Sequence, residues 1–191
     1  MYIKLYNKNT IWFVSDTHFG HENSLKLFRQ NEFDNVDKMD QHIIEQWNKV
    51  VGEQDIVIHL GDFAYRNVKP LESYVNQLNG NIYLLRGNHD NFQSGQVKHL
   101  FSVYDYLELD VKDEDTKYGW QKIVCMHYPI LSYNGMYRES IHCYGHVHKT
   151  TPDNAPPKSV NCCVEMWGYT PVSYNTIKNT ALKIGIEEKN S

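Results

Sequence analysis

Five runs of strand-forming residues in this 191-residue chain each lead into a cluster of side chains able to ligate metal, and that recurrence narrows the possible folds sharply. The runs are Ile11 to Val14, Ile56 to Leu60, Ile82 to Leu85, Ile123 to Met126 and Ile141 to Tyr144. After them come, in order, Asp16/His18, Gly61-Asp62, Gly87-Asn88-His89-Asp90, His127 and Gly145-His146/His148. In open α/β sheets, sites form in the crevice outside the carboxyl ends of strands, so residues distant in sequence can converge there. The expectation is one rim that collects all five clusters.

Helical periodicity fills the intervals between the early strands. Met39, Ile43, Trp47 and Val50 recur on one face of a helix over Asp37 to Val50, with Gly52 as a stop. A short helix is expected over Ser24 to Arg29 and another from Pro70 to Leu78, ended by Asn79-Gly80. Residues 2 to 6 and 11 to 15 read as an opening pair of strands. Strand and helix then alternate, which argues for a largely parallel sheet in the first half. Phe101 to Val111 and Trp120 to Met126 read as antiparallel neighbours across an acidic loop, with Asp113 to Asp115 at a solvated tip. Ser159 to Met166 reads as a strand, and Ser173 can cap a last helix through about Leu182. The expectation is a single domain over residues 1–191, since this length can bury one full core.

Bulk properties exclude some functions. Formal charge is -4 and pI about 6.2, which offers no long basic stripe for tracking nucleic acid. No apolar stretch reaches membrane-spanning length, and Met1 to Thr10 has no signal-peptide apolar core, so a cytoplasmic location is the default expectation. The four cysteines, at 125, 143, 162 and 163, lack Cys-x-x-Cys spacing and read as reduced, buried hydrophobes.

The clusters suit a pair of metal ions. Asp, His and Asn form a mixed oxygen and nitrogen set that fits manganese, iron or zinc, manganese first, better than calcium or magnesium. Two carboxylates (Asp16, Asp62) and five neutral donors (His18, Asn88, His127, His146, His148) leave two divalent ions with a surplus of about two positive charges. Such a centre calls for an anion, and a phosphate ester meets that demand.

The ordered set Asp16-x-His18, Gly61-Asp62, Gly87-Asn88-His89-Asp90, His127 and Gly145-His146-x-His148 resembles the calcineurin-like metallophosphoesterase family. The resemblance implies an α/β fold, a two-sheet β-sandwich flanked by helices in the four-layer αββα form, with a dinuclear site at its rim. It implies that one ion takes Asp16, His18, Asp62 and His148, and the other Asp62, Asn88, His127 and His146, with Asp62 bridging. It further implies that His89 contacts the phosphoryl group and assists the leaving oxygen, that Asp90 supports it, and that a hydroxide held by the ions is the nucleophile. A narrower similarity, to the serine/threonine phosphatase branch, makes Arg66 the candidate phosphate clamp. That branch has an acidic residue before the arginine, where this chain has Tyr65, so a diester or nucleotide substrate is preferred over a phosphoprotein.

Other residues carry weaker expectations. His21 is a candidate substrate contact, whereas His42, His59, His99 and His142 read as structural. Tyr128, Tyr133, Tyr137, Arg138, Trp167 and Tyr169 are candidates for stacking on a base, although a chain with 14 tyrosines places some near any site. The expected partner is a phosphate ester, possibly a nucleotide or nucleic-acid end, with no membrane and no obligatory protein partner. The alternatives are a catalytically silent binding module of the same fold and a mononuclear hydrolase of another bond.

Overall fold

The computed structural model describes residues 1–187 except 31, 66–67, 93 and 153. Its strands form two five-stranded sheets. The first contains β2 (Ile11–Val14), β3 (Ile56–His59), β4 (Asn81–Leu85) and β5 (Ser102–Tyr104) in parallel order, with β10 (Val172–Ser173) antiparallel against β2. The second runs in the order β1 (Tyr2–Leu5), β6 (Leu107–Lys112), β7 (Trp120–Cys125), β8 (Ile141–Tyr144), β9 (Ser159–Asn161). There β6 and β7 pair antiparallel and the other neighbours pair parallel.

Side-chain alternation explains the layering. On β6, Leu107, Leu109 and Val111 are buried, while Glu108, Asp110 and Lys112 are only partly so. The three apolar residues meet Phe13, Ile58 and Leu60 of the first sheet in a core shared with Ile123, Cys125, Ile141 and Cys143. The first sheet is buried on both faces: Phe13 and Ile58 enter this core, whereas Val14 and Val57 turn outward onto helices. That accounts for the near-continuous apolar runs read from the sequence.

The helices are α1 (Glu22–Leu27), α2 (Val36–Val50), α3 (Leu71–Val75), α4 (Ser94–Val97) and α5 (Tyr174–Glu187). Asn35 caps α2 by accepting from the Lys38 amide, and extended backbone at Val51 ends it. Its buried Met39, Ile43, Ile44 and Trp47 pack with Val14, Val57 and Leu84 on the outer face of the first sheet. Tyr174, Ile177 and Ala181 of α5 join the core between the sheets. The architecture is the expected two-sheet sandwich flanked by helices.

Several sequence-based expectations need correction. The opening strands do not pair with each other: β1 lies beside β6, and β2 beside β3. Phe101 to Val111 is not one strand, because the chain leaves the first sheet after Tyr104 and enters the second at Leu107, with no glycine or proline to mark the crossing. Ser159 to Met166 is a regular strand only as far as Asn161, after which Cys163 makes an isolated parallel bridge to Ser15 and Val164–Trp167 forms a 3-10 turn. The helix expected from Pro70 to Leu78 is regular over Leu71–Val75, followed by turns to Leu78. Asp113 is buried rather than solvated, and its carboxylate accepts from Lys8, Tyr174 and Lys178.

Candidate metal centre

Each ligand cluster occupies the turn that follows a strand, and the backbone there is unusual. Among the described residues seven non-glycine positions have positive φ, and five of them are Asp16, His18, Asp62, His146 and His148. Left-handed backbone is uncommon outside glycine, although Asp and His tolerate it better than most residues. It turns the chain back sharply at the strand end, and hydrogen bonds between the turns lock the result. The Asp16 amide donates to Gly61 O (3.0 Å), and the His18 amide donates to Asp62 O (3.0 Å). Two glycines are required by close approach. A Cβ at Gly87 would stand 2.4 Å from the Asp62 amide nitrogen, and one at Gly145 would stand 1.9 Å from Ser15 Oγ.

The seven proposed ligands converge. His18 Nε2 lies 3.7 Å from Asp16 Oδ1 and 3.6 Å from Asp62 Oδ2, and His148 Nε2 lies 3.8 Å from Asp16 Oδ1. On the other side His127 Nε2 lies 3.6 Å from the same Asp62 Oδ2. Asn88 Oδ1 stands 3.0 Å from His127 Nε2 and 2.9 Å from His146 Nδ1. Two donors about 2.1 Å from one ion at a tetrahedral angle stand about 3.4 Å apart, so most of these separations match shared coordination better than hydrogen bonding. Asp16 Oδ1 and His18 Nε2 are also buried without a hydrogen-bond partner, which is costly unless a cation is to satisfy them. Burial opposes the charge on Asp16, but the neighbouring imidazoles of His18, His127 and His148 hold its carboxyl well below the usual carboxylate range. The residues present fit two divalent ions.

The free nitrogens of the ligand histidines are anchored from behind. His127 Nδ1 donates to Leu60 O (2.8 Å), His148 Nδ1 lies 3.1 Å from Glu165 Oε1, and His18 Nδ1 lies 3.2 Å from His21 Nδ1. Glu165 is in turn held by buried Arg29, whose Nε donates to it at 2.8 Å and whose other nitrogens donate to the carbonyls of Asp16 and Thr17. Burial works against the charge of Glu165, but His148 and Arg29 keep its carboxyl below the usual range. Sequence reasoning missed both Arg29 and Glu165, because neither sits in a strand-end cluster. Asp90 accepts from the amides of Asp62 (2.8 Å), Phe63 (3.0 Å) and Gly87 (2.8 Å), so its carboxylate holds two ligand-bearing loops together.

The remaining candidates are sorted by their surroundings. His89 is half-buried at the rim, its ring 5.3 Å from that of His18, and its amide donates to Asp62 Oδ1 (2.8 Å). His21 is buried, with its ring stacked on Tyr65 at 4.0 Å, a setting that supports His18 more directly than it offers a substrate contact. Its pKa is pushed down to about 4 by burial and by the imidazoles around it. Arg66 lies outside the described residues. Tyr133 and Tyr169 are buried, the first against His142 and the second among Phe33, His42 and Arg29, and the Trp167 indole donates to Asn161 O. Of that group Tyr128 adjoins the centre, its ring 4.7 Å from His146, whereas Tyr137 is exposed. The structural reading of His59 agrees with its complete burial beside Thr17 Oγ1 (3.0 Å). His142 donates to Val124 O (3.0 Å), His42 packs against Phe33 and Tyr169, and exposed His99 pairs with Glu72.

Comparison with known proteins agrees with this geometry. The family model for calcineurin-like phosphoesterases matches residues 9–167. An uncharacterised protein of Methanocaldococcus jannaschii is 32% identical over 169 residues, covering 87% of this chain and 88% of that protein. The gene 66 protein of Mycobacterium phage L5 is 33% identical over 82 residues, which is 41% of this chain and 39% of the phage protein. Among solved structures, a protein of unknown function from Aquifex aeolicus superposes with a TM-score of 0.67 at 26% identity, covering 89% of this chain and 98% of that one. A family model spanning most of the chain, on a two-sheet sandwich whose strand ends gather the expected ligands, leads to one conclusion: this chain belongs to the calcineurin-like phosphoesterase family.

Proposed function

We propose that the chain is one metallophosphoesterase domain that hydrolyses a phosphate ester at a dinuclear centre. One divalent ion would be held by Asp16, His18, Asp62 and His148, the other by Asp62, Asn88, His127 and His146. The observation that carries this reading is Asp62 Oδ2, a single oxygen 3.6 Å from both His18 Nε2 and His127 Nε2. One carboxylate oxygen between two imidazole groups is what a bridging ligand requires. Manganese, iron or zinc suits the donor set.

When bound, such ions polarise the phosphoryl oxygens and acidify the attacking water. The protein's part is to orient and to move protons. His89, whose amide donates to Asp62 Oδ1, is the proposed donor of a proton to the leaving oxygen. Asp90 keeps the Asp62 and Gly87 loops in register. Phe28 stacks on the ring of buried His148, and Tyr128 lies edge-on to His146 at the open side of the centre. Arg66 is the proposed phosphate clamp, and a diester or nucleotide is the proposed substrate class. Four free, buried cysteines fit a reducing compartment such as the cytoplasm.

The test is metal content read alongside manganese-dependent hydrolysis of p-nitrophenyl phosphate and bis(p-nitrophenyl) phosphate. About two ions per chain with turnover of either ester is the expected result. Asp62→Asn should lower kcat/KM by about a thousandfold or more while the far-UV circular dichroism is retained. Full activity in that variant would remove the bridging assignment, and two bound ions with no turnover of any ester would favour the silent binding module.

A further inference from the structure

A cavity of 570 Å³ opens beside His89, lined by Tyr65, Lys69, Leu71, His89, Asn91 and Phe92. None of these residues belongs to the candidate ligand set, and of them only His89 has a part in the proposed chemistry. Its contents are uneven in a way that suggests a ligand. Tyr65 and Phe92 supply two aromatic rings, Leu71 an apolar wall, and the exposed Asn91 a carboxamide that can both donate and accept. The Lys69 ammonium at the edge of the cavity is bonded to Asp37 Oδ1 at 2.8 Å, and this exposed pair offsets part of its charge. Two aromatic rings, an apolar wall and a carboxamide suit the cavity to a flat, polar-edged ring.

The ring of Tyr65 is held in place before any ligand arrives. His21 covers one of its faces, with centroids 4.0 Å apart and planes 3° from parallel, and His21 is itself fixed against His18. Phe92 is similarly buttressed by Phe101 and by the Arg86 guanidinium. Rings immobilised in this way lose little entropy on binding.

We infer that this cavity is the subsite for the nucleoside part of the substrate, the base lying against Tyr65 and Phe92 with its polar edge toward Asn91. The volume lies in the range of pockets that enclose small organic ligands, and a serine-sized arm would leave most of it empty. Tyr65 occupies the position where the phosphoprotein branch resembled by Arg66 carries an acid, so the same substitution that departs from that branch creates the platform. The inference deepens the phosphoesterase reading but rests on the cavity for its ligand.

The test separates the two. Thymidine and adenosine, which carry no phosphate, are titrated into metal-free protein and followed by saturation-transfer NMR. Binding of either nucleoside, weakened about tenfold or more by Tyr65→Leu and by Asn91→Ala but retained in Tyr65→Phe, is the expected result. In the metal-loaded protein, the kcat/KM ratio of thymidine 5′-(p-nitrophenyl) phosphate to bis(p-nitrophenyl) phosphate should fall by a similar factor in Tyr65→Leu. Competition by a 5′-phosphorylated oligothymidylate and by thymidine monophosphate distinguishes a nucleic-acid end from a free nucleotide as the source. Failure of both nucleosides to bind, or binding indifferent to Tyr65 and Asn91, overturns the subsite. If bis(p-nitrophenyl) phosphate is still hydrolysed in that case, the phosphoesterase reading survives alone. Nucleoside binding without turnover of any ester upholds the subsite and removes the hydrolase.

Discussion

A left-handed backbone at a non-glycine residue costs about 1–3 kcal/mol and persists where surrounding structure over-determines it. Asp16, His18, Asp62, His146 and His148 all adopt it, so the chain concentrates strain at its ligands and answers it with fixed hydrogen bonds such as His146 N to Asp16 Oδ2 (2.9 Å). Glu165 belongs to this scaffold through His148 Nδ1. Carboxylates in that position set the tautomer and raise the basicity of a ligand histidine. Glu165→Gln should therefore weaken metal affinity by about 10- to 100-fold, measured by competition with a chelator, and leave the protein folded. The candidate ligands are legible in the sequence because each lies a residue or a few beyond an apolar run. Glu165 is not, since it lies 17 residues past His148 on a 3-10 turn and nothing local marks its partner.

Among elements, the parallel strands β2, β3 and β4 were readable because burial on both faces leaves long apolar runs that end abruptly in polar turns. The crossing between β5 and β6 was not readable, because Asp105 and Tyr106 carry the chain between sheets without any turn signal. The turns between β3 and its helix and between β4 and its loop meet at Gly61 and Gly87, whose backbones approach too closely for side chains. Gly87→Ala would drive a Cβ to 2.4 Å from the Asp62 amide nitrogen, so one of the two loops must move. The expected outcome is a loss of about 1–3 kcal/mol in thermal or urea unfolding, together with loss of the second bound ion, because Asp62 and Asn88 flank this contact. A variant that bound two ions normally would show that the loops yield without disturbing the centre.

Across the whole molecule, Asp113 ties together parts that the sheets do not. Its carboxylate takes Lys8 Nζ at 2.6 Å, Lys178 Nζ at 2.6 Å and the Tyr174 hydroxyl at 2.6 Å, joining the turn before β2, the loop after β6 and the helix α5. Burial opposes its charge, but Lys178, Lys8 and Tyr174 hold its carboxyl well below the usual range. A carboxyl depressed in the folded state stabilises fully above its unfolded pKa of about 3.9, and that contribution is lost as pH falls through the folded value. Asp113→Asn should destabilise the protein by about 2–3 kcal/mol at neutral pH, with the deficit shrinking below about pH 4 in denaturant titrations and the metal content unchanged. The acidic run around Asp113 had read as a solvated tip because charge in a sequence reports composition, whereas burial depends on which distant cations reach it. The same division holds throughout this protein. Local pattern determined the alternation of strands and helices, the apolar core positions and the strand-end clusters that hold the seven candidate ligands, because strand periodicity and turn chemistry act over a few residues. Only the tertiary structure decided which strands each sheet takes and that Arg29, Glu165 and Tyr65 stand around the Asp62 carboxylate and its neighbours, because those contacts depend on packing between segments that no local signal connects.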